Sequence, residues 1–287
     1  MDFWFATTDH LTKRIWFRDE EDFRMGMNLV AILSVAFSVN IIAFVLMSNH
    51  VHFVLCCSGE QAERFMKEYK RRYSQYMRKK YGIKESLRKV GVRIEPIGGM
   101  DESMEWCIAY TQMNPVAAGI CLEASGYPWG TGNCFFKATP VKGRKIGSFS
   151  ERSRRKLLHS HGELPSHLLV DEDGRILPES YVDVDFVETV FRTPQRMNFF
   201  LRNSSKAKRR LDAGEQSIPA FRDQVVVSAI PDLCNSLFHK TTVDQMTEDE
   251  QAELLKQLRF RFSANVNQLC RVTGLSYKEV TDLLNRL

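Results

Sequence analysis

The segment from Ile41 to Cys56, IIAFVLMSNHVHFVLC, constrains the fold of this chain more than any other. It contains two apolar runs separated by the short polar Met47-Ser48-Asn49, a pattern that predicts a β-hairpin. Successive side chains of a strand point to opposite faces, so His50 and His52 are predicted to project from the same face. Two neighbouring imidazoles on a rigid strand predict part of a divalent metal site.

Spacing alone leaves a second interpretation of this histidine pair open. One histidine of a His-x-His pair is often a solvated strand residue, and the other is a hydrogen-bonded core residue. The chain contains a second pair, His159 and His161, that follows a basic run and precedes Gly162. A helix end or loop is predicted there, so no shared face is enforced and no metal site is predicted.

A second informative segment, WCIAYTQMNPVAAG, runs from Trp106 to Gly119 and is predicted to be helical. Tyr110 and Asn114 lie four residues apart and therefore share one face of the helix. Pro115 removes a backbone donor, so the helix is predicted to kink or restart there. Spacing alone favours an amphipathic helix with a half-buried Tyr110 and Asn114 as a cap before Pro115.

Together, MSNHVHFVL, YTQMNPVAAGI and GYPWG resemble the motifs of the HUH tyrosine transposases. The resemblance is to the transposase family of small insertion sequences and to the REP-associated tyrosine transposases, and it extends over about residues 3–127. It implies that His50 and His52 are metal ligands and that Tyr110 is the nucleophile. It also implies that Asn114 completes the metal site.

The resemblance further implies a chemistry. A bound Mg²⁺ or Mn²⁺ would act as a Lewis acid on the scissile phosphate of single-stranded or hairpin DNA. Attack by the tyrosine would leave a 5′-phosphotyrosine link and a free 3′-hydroxyl, as expected in DNA transposition or in the mobilisation of palindromic repeats. Relatives of this fold include homodimers that exchange the tyrosine helix between subunits. A hinge is predicted at Gly98-Gly99-Met100, before this helix, and its glycines would allow the helix either to stay in its own subunit or to cross to the partner.

Two other functions stay open at this stage. The first is a non-catalytic, sequence-specific DNA-binding regulator derived from a transposase, although the intact His50, His52, Tyr110 and Asn114 argue against it. The second is a metal-dependent hydrolase of another phosphoester, which would not need Tyr110.

Periodicity predicts the fold without reference to the histidines. The predicted order β-α-β-β-α-β is that of a ferredoxin-like α+β sandwich, to which the tyrosine-bearing helix is appended. The predicted elements are strand Phe3–Thr7, helix Asp19–Phe37, strands Val39–Leu46 and Val51–Cys56, helix Glu60–Tyr81, strand Val92–Ile97 and helix Ser103–Ile120.

The predicted helix at 60–81 carries a stripe of aromatic residues and a set of basic residues. The stripe is predicted to face the core, with base stacking as the alternative; it consists of Phe65, Tyr69, Tyr73 and Tyr76. Tyr73 and Tyr76 are alternative nucleophiles, but neither has an asparagine four residues later. The basic residues are predicted to form a solvated face that contacts DNA phosphates; they are Lys67, Lys70, Arg71, Arg72, Arg78, Lys79 and Lys80.

Composition limits the class of protein. A net charge of +5 over 287 residues is only mildly basic, so a nucleic-acid surface must come from local clustering. Seven cysteines without a C-x-x-C pair predict free thiols in a reducing cytoplasm. Residues 25–59 contain no Asp, Glu, Lys or Arg, yet interrupting polar residues predict a buried helix and two strands rather than a membrane span.

Three domains are predicted: 1–136 with the transposase-like motifs, 137–230 as a linker and middle region without an assigned role, and 231–287 as a helical C-terminal region. In the last, NVNQLCRVTGLSYKEVTDLLNRL has apolar positions on both sides of Gly274, which predicts a helix-turn-helix. The alternative is a helical hairpin that packs on the core or mediates dimerisation. The residues predicted to face DNA are Tyr277, Lys278, Thr281 and Asn285.

Overall fold

The structure of the protein is a computed structural model, and it describes residues 2–8, 15–82, 87, 91–98, 102–158, 164–204, 221–262 and 264–285. The second histidine pair at 159–161 and most of the predicted hinge, residues 99–100, lie outside the described residues.

A four-stranded antiparallel sheet in the order β2-β3-β1-β4 organises the molecule. Its strands are β1 (Asp2–Thr8), β2 (Asn40–Leu46), β3 (Val51–Cys57) and β4 (Val92–Pro96). A smaller antiparallel pair consists of β5 (Arg144–Lys145) and β6 (Leu169–Val170). The predicted α+β class and the order of the first six elements are confirmed.

Eleven helices are described around these strands. The first two predicted helices begin and end within one residue of their predicted bounds, whereas the helix predicted over Ser103–Ile120 ends at Gln112 and is followed by a separate short helix. The eleven helices are α1 (Glu20–Phe37), α2 (Gly59–Tyr81), α3 (Ser103–Gln112), α4 (Asn114–Ala117), α5 (Glu151–Leu158), α6 (Val184–Phe191), α7 (Pro194–Asn203), α8 (Asp223–Phe238), α9 (Glu248–Phe262), α10 (Val266–Thr273) and α11 (Tyr277–Asn285). The helix restarts at Asn114-Pro115, as the proline predicted.

Helices α1 and α2 cover one face of the sheet. Their apolar side chains form the main core with the odd-numbered residues of β3, from Val51 to Cys57. Tyr69 and Tyr73 of α2 are fully buried in this core, so the predicted core-facing aromatic stripe is confirmed for them. A capping box between Ser58 and Gln61 begins α2 directly after β3.

Helices α3, α6 and α7 cover the opposite face. Ile108 and Ala109 of α3 pack with Val54 and Cys56 of β3, together with apolar residues of α6 and α7. The sheet is therefore buried on both faces, which accounts for the long uncharged stretch of the sequence. Within the described ranges, no helix is both long and apolar enough to cross a lipid bilayer.

Part of the middle region packs against α1. Ile146, Leu168 and Ile176 form a cluster with Ala31 and Ile32 of α1. A hairpin turns at Gly174 (φ +87°), where Val170 bridges to Ile176, and β6 also pairs with β5. Helices α6 and α7 add the second layer described above, so residues 137–204 support both faces of the sheet.

The GYPWG segment protects the outer edge of β2, which would otherwise be an open sheet edge. Leu46 N–H donates to Trp129 O at 2.8 Å, and Thr131 N–H donates to Phe44 O at 3.0 Å. Gly130 lies between them, where an added Cβ would stand 2.6 Å from the Phe44 carbonyl oxygen. Glycine is therefore required by close backbone approach at this position.

We expect Gly130→Ala to destabilise the protein by about 1–3 kcal/mol, because the new methyl group overlaps backbone that cannot rotate away. Urea unfolding of both proteins measures this free energy. Gly126→Ala in the same segment is the matched control, since its Cβ would meet nothing closer than Cys121 Cβ at 3.8 Å. Equal stability of the two variants would contradict the edge contact.

Helices α8–α11 form a separate C-terminal cluster, the C-terminal module. Its core includes Val226 and Ile230 of α8. Gly274 (φ +77°) ends α10, and a capping box between Ser276 and Glu279 begins α11 three residues later. The predicted order of helix, glycine turn and helix is thus present.

A buried ion pair joins this module to the sheet domain. Arg271 donates through Nε and Nη2 to both carboxylate oxygens of Asp223, at 2.7 and 3.0 Å. Ser48 of the β2–β3 turn donates to the same carboxylate at 3.0 Å, and Arg271 Nη1 donates to Ala118 O at 3.1 Å. One pair therefore contacts both the histidine-bearing turn and the residue that ends α4.

We expect Arg271→Ala to lower the free energy of unfolding by about 3–5 kcal/mol, because it leaves the Asp223 charge buried without its counterion. Denaturant unfolding measures the change. Arg222→Ala is the matched control: Arg222 pairs with Glu20 on the surface, next to Asp223 in sequence, and its loss should cost no more than about 1 kcal/mol. A change as small for Arg271→Ala as for the control would argue against a stabilising role of the buried pair.

The same pair predicts a pH dependence. Burial by itself would raise the pKa of Asp223, but the Arg271 guanidinium and hydrogen bonds from Arg271, Gln268 and Ser48 outweigh burial and lower it. A lowered folded-state pKa gives stability that is present above the usual aspartate value of about 4 and is lost as the pH falls below it. The stability difference between the native protein and Asp223→Asn should therefore shrink on acidification below about pH 4. A difference that is constant from pH 7 to pH 3 would refute this assignment.

Candidate active site

The two histidines of the hairpin lie side by side. His50 directly precedes β3 and His52 is the second residue of that strand, with the centres of their rings 4.8 Å apart. His52 is 3% exposed, whereas His50 is half-buried at the rim. The turn between the strands consists of Ser48-Asn49, and Met47 N–H donates to His50 O at 2.8 Å. The shared face that alternation predicts is therefore the face covered by α3.

Tyr110 of α3 lies against this pair. The centres of the Tyr110 and His52 rings are 5.9 Å apart, and the ring planes are nearly perpendicular. Phe5 of β1 contacts both rings, stacking on His52 at 5.6 Å and meeting Tyr110 edge-on at 5.8 Å. Because Ile108 and Ala109 are anchored on the sheet, the half-buried Tyr110 is held over the histidine end of β3.

Asn114 begins the short helix α4, one turn after Tyr110, and is 3% exposed. Its Nδ2 donates to Tyr110 O at 2.8 Å and to Thr111 O at 3.3 Å. These bonds fix the nitrogen end of the amide on the helix backbone, so Oδ1 is the atom that would coordinate a metal. Asn114 therefore caps the end of α3, as its spacing suggested. Its amide oxygen is also the kind of ligand that the resemblance implies.

The alternative tyrosines occupy a different environment. Tyr73 is fully buried on the α1–α2 side of the sheet, where its hydroxyl donates to Trp16 O at 2.8 Å and burial raises its pKa well above the usual value. The Tyr76 hydroxyl donates to Asp22 Oδ1 at 2.8 Å. Tyr110 is the one of these three that contacts a motif histidine, which separates it from the other two candidates.

The donor types at the candidate site, two imidazoles and an amide, are ones that divalent ions accept. Two imidazoles that share one ion through bonds of about 2.1 Å have ring centres roughly 4.5–5.2 Å apart, and the observed 4.8 Å lies within that range. His50 Nδ1 lies 2.7 Å from Asn49 Oδ1, the kind of contact that orients a ligating imidazole through its second nitrogen. No group of three or more His, Cys, Asp or Glu side chains among the described residues is placed to hold a metal, so a third ligand would have to be of another type.

The predicted basic face of α2 is only partly a free cationic surface. Lys67, Arg78 and Lys79 are exposed. Lys70 is an exception to the predicted solvated face: it is 7% exposed, and burial lowers its pKa. The other three form ion pairs within the protein: Arg71 and Arg72 bind Glu68, and Lys80 binds Asp19, Glu21 and Asp22.

The candidate DNA-facing residues of the C-terminal module lie along α11. Tyr277 is 61% exposed and Lys278 is exposed, whereas Thr281 is half-buried and donates to Tyr277 O at 2.8 Å. Asn285 is the last residue of α11. The buried side of the same helix, which includes Val280 and Leu283, packs into the module core.

Sequence reasoning missed four residues around this site. Phe5 joins the histidines to Tyr110, but nothing in its local sequence distinguishes it from other strand phenylalanines. Asp223 and Arg271 are 48 residues apart, and their pairing has no local signal. Trp106, four residues before Tyr110, could have been found from the helical period, since it shares the Tyr110 face.

Comparison with known proteins finds one family model and one solved structure that match this chain. Residues 13–92 match the family model described as "Transposase IS200 like", a range that contains His50 and His52 and ends before Tyr110. No curated protein matches the chain. The solved structure of a REP-associated tyrosine transposase bound to a REP hairpin matches at 17% identity with a TM-score of 0.37, over 45% of this chain and 76% of that one. Over residues 13–92, this chain is therefore similar to the IS200-like transposases, which confirms the resemblance that its motifs predicted.

Proposed function

We propose that this protein is a metal-dependent transposase that cuts and rejoins single-stranded DNA with Tyr110 as its nucleophile. The observation that carries the proposal is the contact of Tyr110 with His52 beside His50, at ring separations of 5.9 and 4.8 Å. Three residues from two distant parts of the chain meet at one point, and each is the residue type that phosphoryl transfer to a tyrosine requires.

In the proposed reaction, Tyr110 Oη attacks the phosphorus of a DNA phosphodiester and loses its proton. The new bond joins Oη to phosphorus, and the bond between phosphorus and O3′ breaks. The departing O3′ takes up a proton, so one strand ends in a 3′-hydroxyl and the other in a 5′-phosphotyrosine. Attack by another 3′-hydroxyl on that link reverses the step and joins two strands without an external energy source.

His50, His52 and the Asn114 amide oxygen would hold a Mg²⁺ or Mn²⁺ ion. When bound, such an ion supplies Lewis-acid polarisation of the phosphate, and imidazole ligands favour Mn²⁺. The protein's own part is positional: Phe5 and the sheet hold His52, and α3 holds Tyr110 over it. Rigid placement of nucleophile and phosphate is a large part of catalysis of this kind.

The substrate proposed is a DNA hairpin or imperfect palindrome with an unpaired scissile linkage, because a duplex would not present that linkage to a half-buried tyrosine. Lys67, Arg78 and Lys79 on α2 are exposed cations available for phosphate contacts.

We also propose that α10 and α11 act as a DNA-binding helix-turn-helix, with Tyr277 and Lys278 outermost. The strand order is proposed to be that of a ferredoxin-like sandwich. A homodimer and a cytoplasmic location belong to the same proposal.

The test is a covalent-adduct assay with labelled single strands from the DNA that flanks the gene, in Mn²⁺ or Mg²⁺. A denaturation-resistant protein–DNA band is expected from the native protein. Tyr110→Phe should reduce it by roughly a thousandfold or more, because the nucleophile is lost while the ring is kept. Chelator, and His50→Ala with His52→Ala, should abolish the band as well.

Tyr76→Phe is the matched control, since it removes a phenol of the α1–α2 side and should leave the band unchanged. An adduct that persists in Tyr110→Phe would refute the nucleophile. Absence of an adduct from the native protein, with a retained gel shift of the same DNA, would favour the non-catalytic regulator. DNA cleavage that survives Tyr110→Phe without an adduct would favour a hydrolase.

A further inference from the structure

A groove of about 700 Å³ runs along α3 beside Tyr110, a volume typical of ligand sites. One wall is the open edge of β4, which is the last strand of the sheet, and the other is formed by α3 and the end of α7. Among its lining residues are Phe5, Arg93, Trp106, Tyr110 and Ser204. The groove therefore reaches the candidate nucleophile from the side of β4.

Trp106 presents a large aromatic surface to this groove. It precedes Tyr110 by four residues, so both side chains lie on the same face of α3. Its indole is 36% exposed and is braced by the Phe200 ring, which meets it edge-on at 4.7 Å. A braced, partly exposed indole next to a nucleophile offers a flat surface for stacking at little entropic cost.

Ser204 supplies a polar group to the lining of the same groove. It is 1% exposed, and its hydroxyl has no hydrogen-bond partner among the residues that the structure describes. A buried hydroxyl without a partner is unfavourable, and a serine hydroxyl can either donate or accept. A ligand with hydrogen-bonding edges would satisfy it.

The charge of the groove favours a base over a phosphate. Among the described residues, its charged lining residues are Arg93 and Glu95, which pair with each other at 2.6 Å, so this part of the rim is locally neutral. A phosphate site would need unpaired cations, whereas stacking of a nucleobase on an aromatic ring is largely insensitive to net charge.

We propose that this groove binds an unpaired nucleobase, stacked on Trp106 and hydrogen-bonded by Ser204. The proposal rests on the proposed function in one respect: it assigns the base to the nucleotide next to the phosphate attacked by Tyr110. One helical turn separates Trp106 from Tyr110, a rise of about 6 Å, which is comparable to the spacing of neighbouring nucleotides in an extended strand. The site would hold the strand so that the scissile phosphate lies at the tyrosine.

Binding is measured in Tyr110→Phe protein, which leaves DNA uncut, with a labelled thymidine oligonucleotide and an abasic oligonucleotide of the same length. Stacking tolerates any base, so the target sequence is not needed. We expect the thymidine strand to bind more tightly than the abasic strand. Adding Trp106→Ala should weaken thymidine binding by about tenfold or more and remove the difference between the two strands. Trp106→Phe should recover part of the difference.

Phe199→Ala is the matched control, because Phe199 is 58% exposed on the adjacent α7 but lies outside the described lining of the groove. It should leave both affinities within about twofold, well inside the effect expected for one stacked base. A base-dependent affinity that persists in Trp106→Ala, or no binding of the thymidine strand at all, would overturn the proposal.

The adduct assay separates this inference from the proposed function. Binding that depends on Trp106, without any adduct from the native protein, would support the base site and refute the proposed chemistry. A normal adduct, with binding that does not depend on Trp106, would support the proposed chemistry and refute the base site. If Trp106→Ala lowers the stability of the protein, the proposal can still be tested. Trp106→Phe keeps an aromatic ring in the groove, and the abasic strand removes the base without changing the protein.

Discussion

Strand β3 runs between two other strands with helices on both of its faces, so its pleat assigns each side chain to one of two packed layers. Val51, Phe53, Leu55 and Cys57 enter the core beneath α1 and α2. The alternate residues, beginning with His52, face α3. A shift of register by one residue would place His52 in the aromatic core and remove it from Tyr110. The buried apolar set therefore fixes the position of the candidate site.

The Asp223–Arg271 pair extends this control to the C-terminal module. Its carboxylate accepts from Ser48, two residues before His50, and its guanidinium donates to Ala118, four residues after Asn114. The pair is almost completely buried, where electrostatic interactions are strong and loss of one partner is costly. A module proposed to bind DNA thus contacts the histidine-bearing turn and the end of α4, the short helix that follows the tyrosine helix.

Much of the fold was predictable because its signals are local. The alternation of β3, the aromatic stripe of α2 and the Asn114-Pro115 restart each depend on residues a few positions apart, and each is found where the sequence placed it. The solvation of the basic residues of α2 was harder to predict. Lys70 is buried, and Lys80 is bound by acidic residues of α1 that lie about sixty positions earlier. The helical period predicts which face of the helix a residue occupies, but it does not predict which side chains of a neighbouring helix contact that face.

Local periodicity is sufficient to establish the element order, the shared face of His50 and His52, and the shared face of Tyr110 and Asn114. Long-range contacts are needed to establish that Tyr110, and not Tyr73 or Tyr76, meets the histidines, because α3 and α2 lie on opposite sides of one sheet. They are also needed to establish that the middle region supports the sheet, that Asp223 finds Arg271, and that Trp106 borders a groove with Ser204. Each of these depends on contacts between segments far apart in the chain, which close packing selects and local periodicity does not encode.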